Sequence, residues 1–168
     1  MRDKYKIVYD KHFNTCYTNA SSYWGAGYEP KKAFETGGTW VNKKNQFPAH
    51  IWFSFNKRQD IAKIGVKTRN AVVGQIPTAF DVIGTNQDCD DWEYIHWDTL
   101  RRVKKTGFYK INQYLEWQIP YPNRKTYKCI GLRLTGTKNK DHLVNIQDIY
   151  IFEASFEKVW KEGAGNDS

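Results

Sequence analysis

The 168-residue sequence predicts an all-β fold, and three observations support this. Short runs of alternating apolar and polar residues follow one another, with turn residues between them. No segment keeps a helical periodicity for long, and residues 99–109 form the one stretch where we expect a short helix. Aromatic residues make up 16% of the chain and include seven Trp, so a few large side chains can fill a core between two sheets.

The expected strands are short and follow each other along the chain. Alternation is clearest where Ile130, Leu132 and Leu134 share one face of a strand. The run at 92–97 is apolar on both faces. We expect strands at residues 51–55, 64–68, 80–84, 92–97, 130–134 and from 144 to about 154.

Size and composition fit a single domain. A chain of this length buries roughly 70% of the surface that its unfolded form exposes. We expect one domain over residues 1–156. Residues 157–168 are mostly polar and include a Gly-rich stretch, so we expect them to be a disordered tail.

The chain is basic, with 26 Lys and Arg against 18 Asp and Glu, a net charge of +8 and a pI near 9.3. Such a charge favours acidic partners such as nucleic acid, anionic lipid or sulfated glycan, while a solvated basic surface is the simpler explanation. The densest run is Arg101-Arg102-Val103-Lys104-Lys105. No aromatic RNA-binding motif or helix-turn-helix pattern accompanies it, so nucleic acid is not an expected partner.

The sequence offers no constellation for catalysis, and we therefore expect a protein that is not an enzyme. A Gly-x-Ser-x-Gly motif, a phosphate-binding glycine loop and a His pair at metal spacing are all missing. Cys89 and His96 are seven residues apart, which on a strand directs them to opposite faces. The run Asp88-Cys89-Asp90-Asp91 lacks the Gly and the distant Glu of a Ca²⁺ loop, so a hairpin turn explains it better.

The cysteines Cys16, Cys89 and Cys129 are odd in number, so at least one is free or pairs with another chain. Cys129 is out of phase with its apolar neighbours and is expected to be a small buried residue on the other face. The N-terminus is too charged for a signal peptide, and no apolar run has membrane-spanning length. We expect an intracellular protein if Met1 is the native start, and otherwise a module of a larger protein that could be secreted.

The segment 28–40, YEPKKAFETGGTW, follows the small residues at 20–22. Its Pro-led bend, its Ala-Phe pair and its Gly-Gly-Thr-Trp loop are expected to bury Phe34 and Trp40. Together with the runs at 48–55, 61–69, 77–86, 127–134 and 145–152, it resembles the discoidin family over about residues 16–154. Two departures are Glu35-Thr36 where the family usually has Asp-Gly, and a longer, more basic connection at 98–126.

The resemblance implies a galactose-binding-like, jelly-roll β-sandwich of two antiparallel sheets that recognises a ligand without catalysis. In that family, loops at one end of the sandwich form the recognition surface. The corresponding loops are 23–28, 42–50, 69–75 and 138–142, and their aromatic planes and donors suit a sugar. The expected ligand-binding residues are Tyr23, Trp24, Phe47, His50, Arg69, Asn70, Asn139 and His142. The alternative for Trp24 and Phe47 is that they fold back to cap the core.

The resemblance also implies a structural Ca²⁺ beneath the Gly-rich loop, because many carbohydrate-binding members hold one there. The corresponding ligands are Glu35, Thr39 and Asp148, and hard oxygen ligands suit this ion. Glu35 is longer than the usual Asp. The alternative is an ion pair of Glu35 with Lys31 or Lys32.

Carbohydrate is therefore the expected ligand, and two alternatives stay open. One is a protein-docking module of a larger intracellular assembly, which is favoured because the last strand lacks the Cys that joins the two ends of many secreted members. The other is attachment to anionic membranes by exposed loop aromatics and lysines. The sequence does not indicate an oligomeric state.

Overall fold

The computed structural model describes residues 17–35, 37–89, 92–120, 125–139 and 142–153. Within these ranges the chain forms nine strands and three short 3-10 helices. The strands are β1 Tyr17–Ala20, β2 Trp40–Val41, β3 Ala49–Lys67, β4 Pro77–Thr85, β5 Asp98–Val103, β6 Tyr114–Gln118, β7 Thr126–Thr137, β8 Asn145–Ile146 and β9 Asp148–Glu153. The 3-10 helices are η1 Pro30–Phe34, η2 Val73–Gln75 and η3 Trp92–Tyr94. None of the described helices is long and apolar enough to cross a membrane.

Strand β3 belongs to both sheets of the sandwich. Its first part pairs with β1 and β7, and its second part pairs with β6 and β9, all antiparallel. The pairing with β7 shifts register between Ser54 and Gln59, where the strand passes from one sheet to the other. The front sheet has the order β1-β3-β7-β4-β5, the back sheet is formed by β6 and β9 on β3, and β2 pairs with β8.

The main core lies between the two sheets, as the predicted all-β sandwich requires. Phe80 of the front sheet meets Trp117 of the back sheet edge-to-face at 4.9 Å between ring centroids. Trp40 is fully buried, and its indole N–H donates to the Ser22 carbonyl at 3.0 Å. Phe34 is partly buried and packs on Phe53 at 5.3 Å. The predicted burial of this corner is confirmed.

A second apolar cluster covers the outer face of the front sheet, which is turned away from the main core. Trp52 and the disulfide Cys89–Cys129 form it, with Ile95 and Trp97 packed over them. The Ser54 hydroxyl lies 2.8 Å from the Cys89 sulfur. Cys129 is a small buried residue on the face opposite the main core, as predicted, and its disulfide with the buried Cys89 was not predicted. Cys16, the tail at 157–168 and the end of the domain at 156 lie outside the described residues.

Two element predictions are wrong. Residues 98–103 form strand β5 and not a helix. The register of β5 against β4 shifts between Arg101 and Thr99, which leaves one extra residue between these two paired residues. As a result Leu100 and Val103 are both buried. That spacing of three resembles a helical pattern. Residues 92–97 are not a strand: η3 is followed by irregular chain that folds across the second cluster. Strand β6 was not predicted, and the last predicted strand is divided into β8 and β9.

Candidate functional site

Four segments meet at one end of the sandwich, here called the loop end: the described residues of 21–48, 68–76, 104–113 and 138–147. Backbone hydrogen bonds join them across the strand ends. Thr68 N donates to Gln113 O at 2.8 Å, Asn112 N to Arg69 O at 3.0 Å, and Asn42 N to Val144 O at 3.3 Å. The opposite end carries residues 86–89 and 92–97. The loops that the sequence analysis selected therefore all lie at the loop end, and residues 104–113 join them there.

The buried Asn42 side chain holds two of these segments together. Its amide N–H groups donate to Gln46 O at 3.1 Å and His142 O at 3.0 Å, and its Oδ1 accepts from Val144 N at 2.9 Å. A fully buried side chain with three backbone partners fixes the spacing of the loops. The surface at this end is therefore largely formed before any ligand arrives.

Strained backbone also concentrates at the loop end. In the described part of the chain, the non-glycine residues with positive φ are Asn45, Val72, Asn112 and His142, and all four lie there. Val72 is β-branched and has a φ of 58°, a conformation that such residues rarely adopt. Residues of this kind cluster at binding sites, where the surrounding structure holds them in place.

Trp24 is the most prominent side chain of this surface. It is 55% exposed, and its backbone N–H donates to Val41 O at 2.7 Å. A cleft of about 520 Å³, the wide cleft, lies on one side of it, and a cavity of about 120 Å³, the narrow cleft, lies on the other. The backbone is anchored while the indole stays in solvent. The alternative in which Trp24 caps the core is therefore wrong.

The two clefts differ in size and in lining. The wide cleft is lined by residues 20–26 together with Lys43 and Gln46. The narrow cleft is lined by Trp24 and by Tyr28, Val41, Arg69, Gln75 and Leu143. The Arg69 guanidinium lies over the Tyr28 ring at 5.5 Å, which holds that side chain in place.

The structure divides the predicted ligand-binding residues into two groups. Tyr23, Trp24 and Arg69 line the clefts. The others lie at the loop end but line neither of these two clefts. Phe47 stacks on His142 at 5.2 Å and packs against the core, as the capping alternative for Phe47 predicts.

The two predicted asparagines both take part in hydrogen bonds within the loop end. Asn139 Oδ1 accepts from Leu143 N at 3.2 Å. Asn70 is exposed, and its backbone N–H donates to Gln147 Oε1 at 3.1 Å.

His50 lies beneath the surface, so its predicted place on an exposed ligand face is wrong. Burial and then the positive charge of Arg133 lower its pKa to about 4, although a hydrogen bond with the Pro48 backbone acts in the opposite direction. Its backbone N–H donates to Ser21 Oγ at 2.9 Å. At neutral pH the imidazole is therefore uncharged, and it is buried beneath the surface of the loop end.

Sequence reasoning missed several residues of this surface. Lys43 and Gln46 lie inside a loop that was selected, but their charge and polarity gave no signal. Tyr109 and Ile111 are exposed in the segment 104–113. That segment was missed because 99–109 was read as helical, and recognising a strand at 98–103 would have placed the following loop at this end.

The three predicted Ca²⁺ ligands differ in their surroundings. Glu35 is half exposed and pairs with Lys32 at 3.9 Å, as the alternative predicts. Asp148 is buried at the start of β9, and Thr39 is partly buried. Among the residues that the structure describes, no group of three or more His, Cys, Asp or Glu is arranged to hold a metal.

The comparisons with known sequences give no match: no protein-family model matches the chain, and no curated protein sequence matches it. Solved structures do match. Chitosan-binding module 2 of a chitosanase/glucanase from Paenibacillus sp. IK-5, solved with chitotriose, is 15% identical with a TM-score of 0.65, over 81% of this chain and 95% of the module.

Two further structures are carbohydrate-binding modules of family 32. The module of Clostridium perfringens NanJ, solved with galactose, is 10% identical with a TM-score of 0.63, over 82% of this chain and 93% of that one. The module of AlyQ, solved with 4,5-unsaturated mannuronic acid, is 14% identical with a TM-score of 0.61, over 81% and 93%. These similarities confirm the predicted architecture: the chain has the discoidin-like, galactose-binding-like β-sandwich fold that these carbohydrate-binding modules share.

Proposed function

We propose that this chain is a non-catalytic module that binds carbohydrate at the loop end, with the Trp24 indole as the platform for a sugar ring. The observation that carries the proposal is the position of Trp24, which is 55% exposed between two clefts. The apolar C–H face of a sugar packs on an aromatic plane, while fixed polar groups nearby orient its hydroxyls. Binding of glycans by the structurally similar modules supports this assignment.

Several features make the loop end suitable for such a ligand. The buried Asn42 amide and the backbone bonds between loops fix the clefts in advance, so little ordering accompanies binding. Donors of the clefts include Arg69, Lys43 and Gln46. We expect a single site of this kind to have a Kd of about 0.1–1 mM, because a few contacts must compensate for removing a well-hydrated sugar from water.

The test compares two exposed aromatic residues at opposite ends. Trp24→Ala removes the platform, whereas Tyr94→Ala removes a side chain that is 79% exposed at the other end. On a glycan array followed by calorimetry, Trp24→Ala is expected to abolish binding with little change in Tm. Tyr94→Ala is expected to bind as the unmodified protein does. Equal binding by both variants, or a large fall in the Tm of Trp24→Ala, would contradict the proposal.

Attachment to anionic membranes is a second candidate, and one observation favours it. Of the seven exposed large hydrophobic side chains in the described part, only Tyr94 lies elsewhere than the loop end. Tyr109 and Ile111 are among the other six and flank Lys110, so an apolar tip is next to a positive charge. Liposome co-sedimentation tests it: binding that increases with phosphatidylserine and is lost in Tyr109→Ala/Ile111→Ala supports membrane attachment, and no dependence on that lipid contradicts it.

A structural Ca²⁺ near Glu35, Thr39 and Asp148 is a separate proposal. It is supported by the oxygen chemistry of these residues and by the contact of η1 with β9. Because Ca²⁺ takes six to eight oxygen ligands, backbone carbonyls would supply those that the three side chains do not. A higher Tm in millimolar Ca²⁺ than in EDTA supports the ion, and a Glu35→Gln variant that keeps the increase removes Glu35 from the ligand set.

A further inference from the structure

The two clefts beside Trp24 each contain one cation. Lys43 lines the wide cleft, and Arg69 lines the narrow one. None of the described lining residues of either cleft is acidic. Each of the two clefts that Trp24 lines therefore offers one positive charge to a ligand.

In the described part of the chain, no carboxylate forms an ion pair with Lys43 or Arg69. Glu29 is an acidic residue in the same loop region of the sequence, and its two carboxylate oxygens accept from Gly27 N at 2.7 and 3.1 Å. The Arg69 guanidinium packs on the Tyr28 ring, and no described residue accepts a hydrogen bond from it, so its N–H groups are available in the cleft.

The polar side chains of the narrow cleft, Arg69 and Gln75, can donate hydrogen bonds to a ligand. Gln75 Oε1 accepts from Asn145 Nδ2 at 2.6 Å, so the amide oxygen is already used. The amide N–H groups of Gln75 remain as donors beside the Arg69 guanidinium. An arginine fork with a neighbouring amide donor matches the oxygens of a carboxylate or sulfate. A volume of about 120 Å³ is below the usual range of small-molecule sites and suits such a substituent.

We propose that the ligand is an acidic oligosaccharide: one ring stacks on Trp24, an anionic substituent enters the narrow cleft against Arg69 and Gln75, and a neighbouring sugar occupies the wide cleft near Lys43. This inference rests on the proposed function and names its ligand class. The shared chemistry is a carboxylate or sulfate carried by a sugar. The wide cleft, at about 520 Å³, lies in the range of small-molecule sites and accommodates the neighbouring unit.

The test pairs each acidic polymer with a neutral counterpart. Affinity electrophoresis compares a polyuronate with the same polymer after its carboxylates are reduced to alcohols, and dextran sulfate with dextran. Binding to the acidic member is expected to be at least about tenfold tighter, because charge-assisted hydrogen bonds are stronger than neutral ones. The polymer pair that shows the difference distinguishes carboxylate from sulfate.

General attraction to a protein of net charge +8 must be separated from a site. Lys43→Gln and Arg69→Gln each remove one charge from a cleft, and Lys128→Gln removes one from an exposed position of β7 close to the opposite end. We expect each of the first two variants to weaken binding about fivefold, in line with a partly exposed charge pair, and the third to leave it unchanged. Equal weakening by all three variants overturns the proposal.

The remaining outcomes separate this inference from the proposed function. Equal binding of acidic and neutral polymers, lost in Trp24→Ala, overturns the acidic ligand and leaves carbohydrate binding in place. No binding to any of the four polymers, together with a negative glycan array, overturns both. Calorimetry with acidic sugars of one, two and three units tests the occupation of both clefts: affinity should increase from one to two units, and an equal affinity for the single unit overturns the two-cleft arrangement.

Discussion

The two ends of the sandwich are built differently. At the loop end, Trp24 stands in solvent on loops that hydrogen bonds join, chiefly through the buried Asn42. At the opposite end, Trp97 packs on Trp52 at 5.5 Å, and the disulfide Cys89–Cys129 ties the connection to β7. The same residue type thus serves a surface at one end and a core at the other. Exposure is possible where backbone bonds already fix the loop, because the indole is not needed to hold it.

The largest effect on stability is expected from removing the disulfide at the opposite end. The double variant Cys89→Ser/Cys129→Ser opens a loop with a sequence separation of 40. Chain-entropy arguments give a loss of about 4 kcal/mol in the free energy of unfolding, or about 10 °C in Tm. Differential scanning calorimetry with and without reductant measures it.

Ligand binding serves as the control, since the loop end should be unaffected by the loss of this disulfide. A Tm that reductant does not change would contradict the role of the bond. Because structural disulfides persist in oxidising compartments, non-reducing mass spectrometry of the protein from its source also tests the expectation of an intracellular location.

The next largest effect on stability is expected from removing the Asn42 side-chain hydrogen bonds at the loop end. Asn42→Ala leaves the buried Val144 N–H and two partly buried carbonyls without their partner, and we expect a loss of about 2–3 kcal/mol together with weaker glycan binding. The matched control is Asn86→Ala, because Asn86 also bonds two backbone groups but is exposed. Water can replace those bonds, so the expected loss is below about 1 kcal/mol. Urea unfolding compares the two, and equal losses would show that burial of the amide is not what matters.

Acid should weaken the protein through His50, beside the loop end. The pKa of the folded state is about 4, against 6.5 for the exposed group, so the unfolded chain binds a proton first as the pH falls. Stability is full above pH 6.5 and is lost progressively towards pH 4. At pH 4.5 we expect a loss of about 2–3 kcal/mol relative to pH 7 that His50→Gln does not show. Parallel pH profiles of the two proteins would contradict this.

The smallest effect on stability is expected at Trp24. Trp24→Ala should change the free energy of unfolding by less than about 0.5 kcal/mol, because its indole is largely in solvent. Trp97→Ala should lose about 2 kcal/mol through the packing on Trp52 while glycan binding is kept. Measuring stability and binding for both variants sharpens the comparison between the ends. A reversed pattern would show that the assignment of the two tryptophans is wrong.

The loops of the candidate site could be predicted from the sequence, but which of their side chains are exposed could not. The loops at 23–28, 42–50, 69–75 and 138–142 were selected from the resemblance to the discoidin family, and their described residues lie at one end because the shared fold brings these strand ends together. Whether a residue in such a loop faces solvent depends on contacts from distant segments. His50 is buried under Ser21, and Phe47 is paired with His142, so neither is available as expected.

The sequence by itself determined the sheet architecture, since alternation and turn residues record local backbone preferences and the faces that must be buried. Only the tertiary structure decided the rest. A bulge turned the apparent helix at 99–109 into β5, and folding brought Cys89 onto Cys129 across 40 residues. It also left Lys43 and Arg69 in clefts on either side of Trp24. These features arise from contacts between residues far apart in the chain, and such contacts leave no local pattern in the sequence.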